Sequence, residues 1–270
     1  MLRPNEARIT HPPIRIHHTR LEPVNTSGFS LPEWAWLAVA SLIVGISKTG
    51  IAGSGIISVV MFALLLPGRA ATGALLPLLI AADLIAVAMF RRQANWRELW
   101  RIFPATALGV IIGWLLLDRI DDSTVKRLIG AIIVVVVLMQ IAQRLRNGNQ
   151  PLEAPRWFAG IVGATAGFAT MIANAAGPIM TIYLLAMRLP KLEFVGTGAW
   201  FFLVINLFKV PFGINLGIIN TDSLKFDAIL TPFALAGAFA GRWLLDRIDQ
   251  VWFERAVMVF ALLGGIRLLF

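Results

Sequence analysis

Cysteine is absent from the 270 residues, tyrosine occurs once, no histidine occurs beyond position 18, and only 14% of residues are charged. Without cysteine there are no disulfides, thiolate metal sites or cysteine nucleophile. Without histidine in the body of the chain there is no Ser/His pair and no HExxH zinc motif there. The scarcity of charge says most, because soluble domains carry roughly 25% charged residues. At 58% hydrophobic and a mean hydropathy of +0.77, the chain reads as an integral membrane protein. Its apolar runs leave no stretch for a separate soluble core.

What is present is a duplication. Residues 103–121, FPATALGVIIGWLLLDRID, match residues 231–249, TPFALAGAFAGRWLLDRID, at an offset of 128. Pro104 falls on Pro232, Gly109 on Gly237 and Gly113 on Gly241, and the run from Leu116 to Asp121 is identical to that from Leu244 to Asp249. Upstream, Thr72 to Ala74 match Thr197 to Ala199 at 125, and Gly45 and Gly55 match Gly167 and Gly177 at 122. A drift in one direction is what loop insertions between collinear repeats produce. The expected organisation is a polar tail over 1–33, a transmembrane repeat over 34–142, a linker over 143–156 and a second repeat over 157–270. A duplicated apolar unit is the usual build of a secondary transporter, with the substrate held between the repeats.

The tail holds Arg3, Arg8, Arg15 and Arg20 and lacks the apolar core of a cleavable signal peptide. It reads as a retained, cytoplasmic, disordered arm. All three histidines, His11, His17 and His18, lie in it, with no carboxylate or thiol framework for a metal. The net charge of +9 does not point to nucleic acid, because the arginines sit between apolar runs, as membrane proteins place them. No metal, cofactor or nucleic-acid partner is expected; the expected partners are membrane lipid and a small anionic substrate, with the oligomeric state left open.

Each half contains four apolar segments, at 34–66, 70–90, 102–117 and 124–142 and again at 157–187, 194–213, 228–245 and 251–269. The fold expected is all-α and polytopic, with about eight spans and up to ten helical pieces. Trp34, Trp36, Trp96, Trp100, Trp157, Trp243 and Trp252 fall near segment ends, as interfacial anchors do. The first segment of each half is too long. As one helix, residues 34–66 would reach about 50 Å, against a hydrocarbon core of about 30 Å. Gly45, Gly50, Gly53 and Gly55 supply a break in one repeat, and Gly167, Asn174, Gly177 and Pro178 in the other. Non-helical backbone at membrane depth survives only inside protein or beside a watery cavity, so the two breaks should meet at a central site. Each broken segment either crosses, giving parallel repeats, or returns as a hairpin, giving inverted ones. Crossing with a cytoplasmic N-terminus concentrates arginine and lysine on the cytoplasmic side, whereas hairpins divide them almost evenly. The positive-inside rule therefore favours crossing.

Three ionisable residues inside apolar runs carry the chemistry. Lys48 lies in the first break, beside Ser47, Thr49, Gly53, Ser54 and Gly55; Asp83 lies in the second segment; and Lys209 lies in the matching sixth, after Asn206. Intramembrane charges are costly and mark an ion or substrate path, or pair with one another. Moved by 125, Asp83 lands one residue from Lys209, which suggests an Asp83–Lys209 ion pair across the repeats. For Lys48 the alternative to a site is snorkelling to an interface. Two lysines, the hydroxyls of Ser47, Thr49 and Ser54, the Asn174 amide and backbone amides at Gly53, Gly55 and Gly177 describe a pocket for an anion. Asp83 is then the titrating or gating acid.

At these residues the chain resembles the sulfite exporter TauE/SafE family, also called the toluene sulfonate uptake permease family, over about 34–270. The matching motifs are Gly45-Ile-Ser-Lys-Thr-Gly50 with Gly53-Ser-Gly55, Asn174-Ala-Ala-Gly-Pro178, and Gly196-Thr-Gly-Ala-Trp200 leading into Asn206-Leu-Phe-Lys209. The resemblance implies a carrier of sulfite, sulfonates or related sulfur oxyanions across the inner membrane, driven by the proton gradient. Many members carry a denser glycine run where this chain has Ala175 and Ala176, which leaves the exact substrate open. An intramembrane enzyme would need a catalytic pair that this sequence lacks. An anion channel suits the cationic breaks but gives Asp83 no task, and small carboxylates are a second candidate cargo.

Overall fold

In the computed structural model, residues 28–49, 54–90, 92–145, 156–244 and 250–270 are described. The histidine-bearing tail, Gly50, Gly53 and most of the linker fall outside them. Among the described residues every regular element is an α-helix: α1 (Leu31–Thr49), α2 (Gly55–Leu65), α3 (Gly68–Phe90), α4 (Trp96–Leu117), α5 (Asp122–Leu145), α6 (Arg156–Ala173), α7 (Gly177–Ala186), α8 (Lys191–Asn215), α9 (Thr221–Leu244) and α10 (Gln250–Leu269). Helices α3, α4, α5, α8 and α9 are long and apolar enough to cross a membrane. Several helices begin ahead of their apolar runs because polar caps start them. The Asn95 side chain accepts from Glu98 N at 3.3 Å to open α4. Asp121 accepts from the Ser123 and Thr124 amides ahead of α5. The hydroxyls of the same two residues hold its carboxyl well below the usual carboxylate range.

Both long first segments are broken and fold back, but not at Gly45 or Gly167, which lie inside the continuous helices α1 and α6 and serve close helix contacts instead. Trp36 Nε1 donates to Met61 O at 3.0 Å, and Ser58 Oγ donates to Ala40 O at 2.9 Å. Residue numbers fall along α1 as they rise along α2, so the pair is an antiparallel hairpin. In the second half Phe158 stacks on Tyr183, with ring centroids 6.5 Å apart and planes at 17°, which sets α6 and α7 in the same relation. Asn174 turns this second hairpin at φ 50°, a left-handed conformation that asparagine tolerates better than most residues.

The hairpins overturn the preference for crossing. Arginine and lysine divide nearly evenly between the two faces of the hairpin topology, so the positive-inside rule had little bias to act on. The second turn is set locally, at Asn174, while the first lies over 50–53, outside the described residues. Equivalent helices consequently run in opposite directions. Along α3 and α8, Gly73 meets Ile218, Asp83 meets Asn206, and Gly196 meets Phe90 and Gln93. Along α5 and α10, Gly130 meets Leu268 while Ile133 meets Gly265. The repeats are inverted.

Two parallel seams lock them together. Helix α1 packs on α9 with Leu42 against Gly237 and Ile46 against Gly241, and α4 packs on α6 with Ile102 against Gly163 and Thr106 against Gly167. A Cβ on Gly45 would fall 2.0 Å from Ala234 O, and one on the equivalent Gly167 would fall 2.0 Å from Thr106 O. In lipid, small residues permit the backbone approach that drives helix association. Trp36, Trp96, Trp100, Trp157 and Trp243 are exposed on the outer surface, as anchors should be. Trp34 instead packs inward on Phe226 with ring centroids 5.5 Å apart, and the Trp252 side chain lies outside the described residues.

Candidate functional site

The two hairpins end at one cavity of about 380 Å³. The tip of the first contributes Ser47, Lys48, Thr49 and Gly55; that of the second contributes Thr170, Asn174, Ala175, Gly177 and Pro178. Between them stand Asp83 on α3 and Asn206 on α8. Apart from Thr181 the remaining walls are apolar, from residues such as Val44, Val59, Leu75, Leu79, Met180 and Phe202, and the cavity extends towards Phe90 and Leu192, at the end of α3 and the start of α8. Gly55 and Gly177, the first residues of the short helices α2 and α7, both reach it. Two half-helix N-termini, whose unsatisfied amides carry partial positive charge, therefore face the same space.

One polar chain runs through the site. Lys48 Nζ lies 2.8 Å from Asp83 Oδ1 and 4.3 Å from the centre of the Phe202 ring. The other Asp83 oxygen accepts from Asn206 Nδ2 at 2.7 Å. Lys209 Nζ donates to Asn174 Oδ1 at 2.6 Å, Thr170 Oγ1 at 3.2 Å and Asn206 Oδ1 at 3.4 Å. Asn174 Nδ2 donates onward to Thr72 O at 3.0 Å, and Thr72 Oγ1 to Ile172 O at 2.6 Å. With Asp83 fully buried and Lys48 10% exposed, these contacts supply the partners that buried charges require. One ammonium, Lys48, pairs with the carboxylate, while Lys209 is held by neutral amide and hydroxyl oxygens.

The geometry corrects several sequence expectations. Asp83 pairs with Lys48, not Lys209. The offset argument placed Asp83 and Lys209 at similar depth, but Lys209 lies almost one turn beyond Asn206, and it is Asn206 that faces Asp83. Lys48 does not snorkel; its ammonium is turned inward. Lys209 is 1% exposed and sits behind the cavity wall, where it reaches the cavity only through Asn174, Thr170 and Asn206. Ser54 is buried outside the lining. The hydroxyls of Ser47 and Thr49 do line the cavity, yet their protons are engaged by Val44 O at 2.7 Å and Ala238 O at 2.5 Å, so they present lone pairs to a guest. Among the buried polar residues not singled out from the sequence, two bear on function. Thr170, which takes a hydrogen bond from Lys209, is the residue that Lys48 reaches when moved by 122, so the repeat already carried that signal. Asp227 was missed because the apolar run on α9 was begun one residue after it.

A family model described as Sulfite exporter TauE/SafE matches residues 37–268, nearly the whole helical body. The chain belongs to this family. Among curated proteins it is similar to the "Probable inner membrane transporter protein TsaS" of Comamonas testosteroni, at 27% identity over 206 residues, covering 74% of this chain and 84% of that one. As a TauE/SafE member the protein is a membrane transporter, not an enzyme. The matched span includes the second hairpin, all but the first turns of α1 in the first, and every site residue described above.

Proposed function

We propose that this protein is a secondary carrier of a small sulfur-containing anion, sulfite, a sulfonate or a related oxyanion, across the inner membrane, and that transport is coupled to protons. The observation that carries the reading is the cavity itself: Lys48 and the N-termini of α2 and α7 open on one space at the tips of two inverted hairpins. The name of the TsaS relative supports the membrane assignment. In this reading Lys48 is the direct counter-charge, and the N-termini of α2 and α7 add potential and amide donors. Lys209 acts from behind the wall by orienting Asn174 and Asn206.

The ion pair suggests how coupling works. An anion that binds Lys48 competes with Asp83 for the same ammonium. Displaced, Asp83 becomes a fully buried carboxylate with one amide donor, a costly state that proton uptake relieves. Anion and proton then load together, and release of the anion lets the pair re-form.

A thermal-shift screen of the purified protein in detergent tests the cargo, using sulfite, thiosulfate, sulfate, sulfoacetate, taurine and carboxylate analogues. A ligand present at 100 times its Kd adds about 2.7 kcal/mol to the folded state. At least one sulfur oxyanion should raise the Tm, by several degrees. Stabilisation by carboxylates and none by any sulfur oxyanion would remove the sulfur assignment.

A further inference from the structure

Apart from Asp83, the buried carboxyl among the described residues is Asp227, and the anion cavity does not use it. It lies on α9, six residues beyond the helix start at Thr221, on a face shared with Ser223, Leu230 and Ala234, all buried. Asp227 is 2% exposed, and neither of its carboxylate oxygens has a hydrogen-bond partner among the described residues.

Among the described residues, no charged group on the helices packed against α9 bonds the Asp227 carboxylate. Helices α1 and α3 pack against α9. On α1, Glu33 accepts from Ser30, and Lys48 pairs with Asp83 of α3. Arg69, at the start of α3, donates from Nη2 to Ile120 O and from its backbone amide to Asp122, and its Nε, though unpartnered among the described residues, does not bond Asp227. On α9 itself, Asp222 and Lys225 pair with each other at 3.1 Å on the exposed face. Nothing described offers Asp227 a donor or a counter-charge. An ionised carboxylate is strongly disfavoured in such a place, whereas a carboxyl that keeps its proton is not. A metal cation would need several oxygen ligands, and no cluster of metal-binding side chains exists among the described residues. A proton needs one.

The position is also mechanically linked to the cavity. Thr49 Oγ1 donates to Ala238 O, and Gly45 is in close backbone contact with α9 at Ala234 and Ala238, so α9 is joined directly to the cavity end of α1. Lys48 lies at that end.

We propose that Asp227 is a proton-binding site separate from the anion cavity, holding its proton in the conformation seen here and releasing it to water when α9 shifts. The step breaks one carboxyl O–H bond and hands the proton to water, with no change of redox state. The proposal takes its purpose from the carrier reading, but the site stands whatever the cargo is.

Infrared spectroscopy of the purified protein at neutral pH tests the loaded state without any substrate. The carbonyl stretch of a protonated carboxylic acid should be present in the wild type, vanish in Asp227→Asn, shift in Asp227→Glu and survive in Asp83→Asn. If Asp227→Asn leaves the band intact, or the wild type lacks it, Asp227 is ionised and the proposal fails. The release step is read in proteoliposomes: Asp227→Asn should lower proton-driven sulfite accumulation at least tenfold, and unchanged accumulation overturns the coupling role. Should the wild type move no sulfite, the cargo reading fails while the infrared result still decides whether Asp227 holds a proton.

Discussion

Lys48→Met should abolish anion binding and also weaken the fold, and a second substitution separates the two effects. Methionine keeps an apolar stem and removes the ammonium, which leaves Asp83 buried without its ion partner. Breaking a buried pair from one side costs about 3–5 kcal/mol, whereas removing both charges is often neutral. Lys48→Met alone should therefore unfold at markedly lower temperature, and the Lys48→Met/Asp83→Asn double variant should recover most of that loss. The double variant should still gain no stability from the sulfur oxyanion that stabilises the wild type, because the direct counter-charge is gone. Thermal unfolding with and without the anion reads both effects. An anion-induced shift in the double variant equal to that of the wild type would transfer the counter-charge role from Lys48 to another group. Lys48→Arg is not a safe rescue, since a planar fork differs from a point charge beside the Phe202 ring.

The second large effect lies in the seams. A Cβ at Gly167 would meet the backbone of Thr106 and Val110 across the α4–α6 contact, where no side chain can rotate away. Gly160, two turns earlier on the same helix, has nothing within 4 Å of such a Cβ. Overpacking a tight contact costs about 1–3 kcal/mol and more where backbone must move, while Gly→Ala at a free helical position gains up to about 1 kcal/mol of propensity. Gly167→Ala should therefore melt on the order of 5 °C or more below wild type, and Gly160→Ala at or slightly above it. Gly45→Ala should repeat the Gly167 result, because it occupies the equivalent place on α1 against α9. Equal melting of Gly160→Ala and Gly167→Ala would mean that the helices do not touch there in the membrane.

Helices and breaks were legible in the sequence because both depend on short-range chemistry: apolar runs near 20 residues, and glycine, asparagine and proline where such a run grew too long. The seams were not read from the sequence, although the repeat had already set Gly45 on Gly167 and Gly109 on Gly237, the glycines that line them. Direction was not legible. Whether the chain goes on or turns back after α1 is not given by the apolar runs, and the arginine distribution that should report it is almost balanced. The identity of the ion pair was hidden for a related reason. Sequence offset gives depth along a helix but not which side chain on a facing helix points back, and Asn206, not Lys209, occupies that direction. Hydroxyls misled differently. Within a helix, serine and threonine satisfy their own proton on a nearby carbonyl, as Ser47 does on Val44 and Thr181 on Gly177, so their presence at a site does not make them donors to a guest.

The central claim is that one anion at a time occupies a site between the hairpins and is carried, not conducted. Counterflow in proteoliposomes tests it most directly, by loading the interior with unlabelled sulfite and following entry of labelled sulfite at equal pH on both sides. The account predicts uptake that saturates with external sulfite, is accelerated severalfold by internal sulfite, and is absent in the Lys48→Met/Asp83→Asn variant. Uptake that rises linearly with concentration and ignores internal sulfite would contradict it, because that is the behaviour of an open pore.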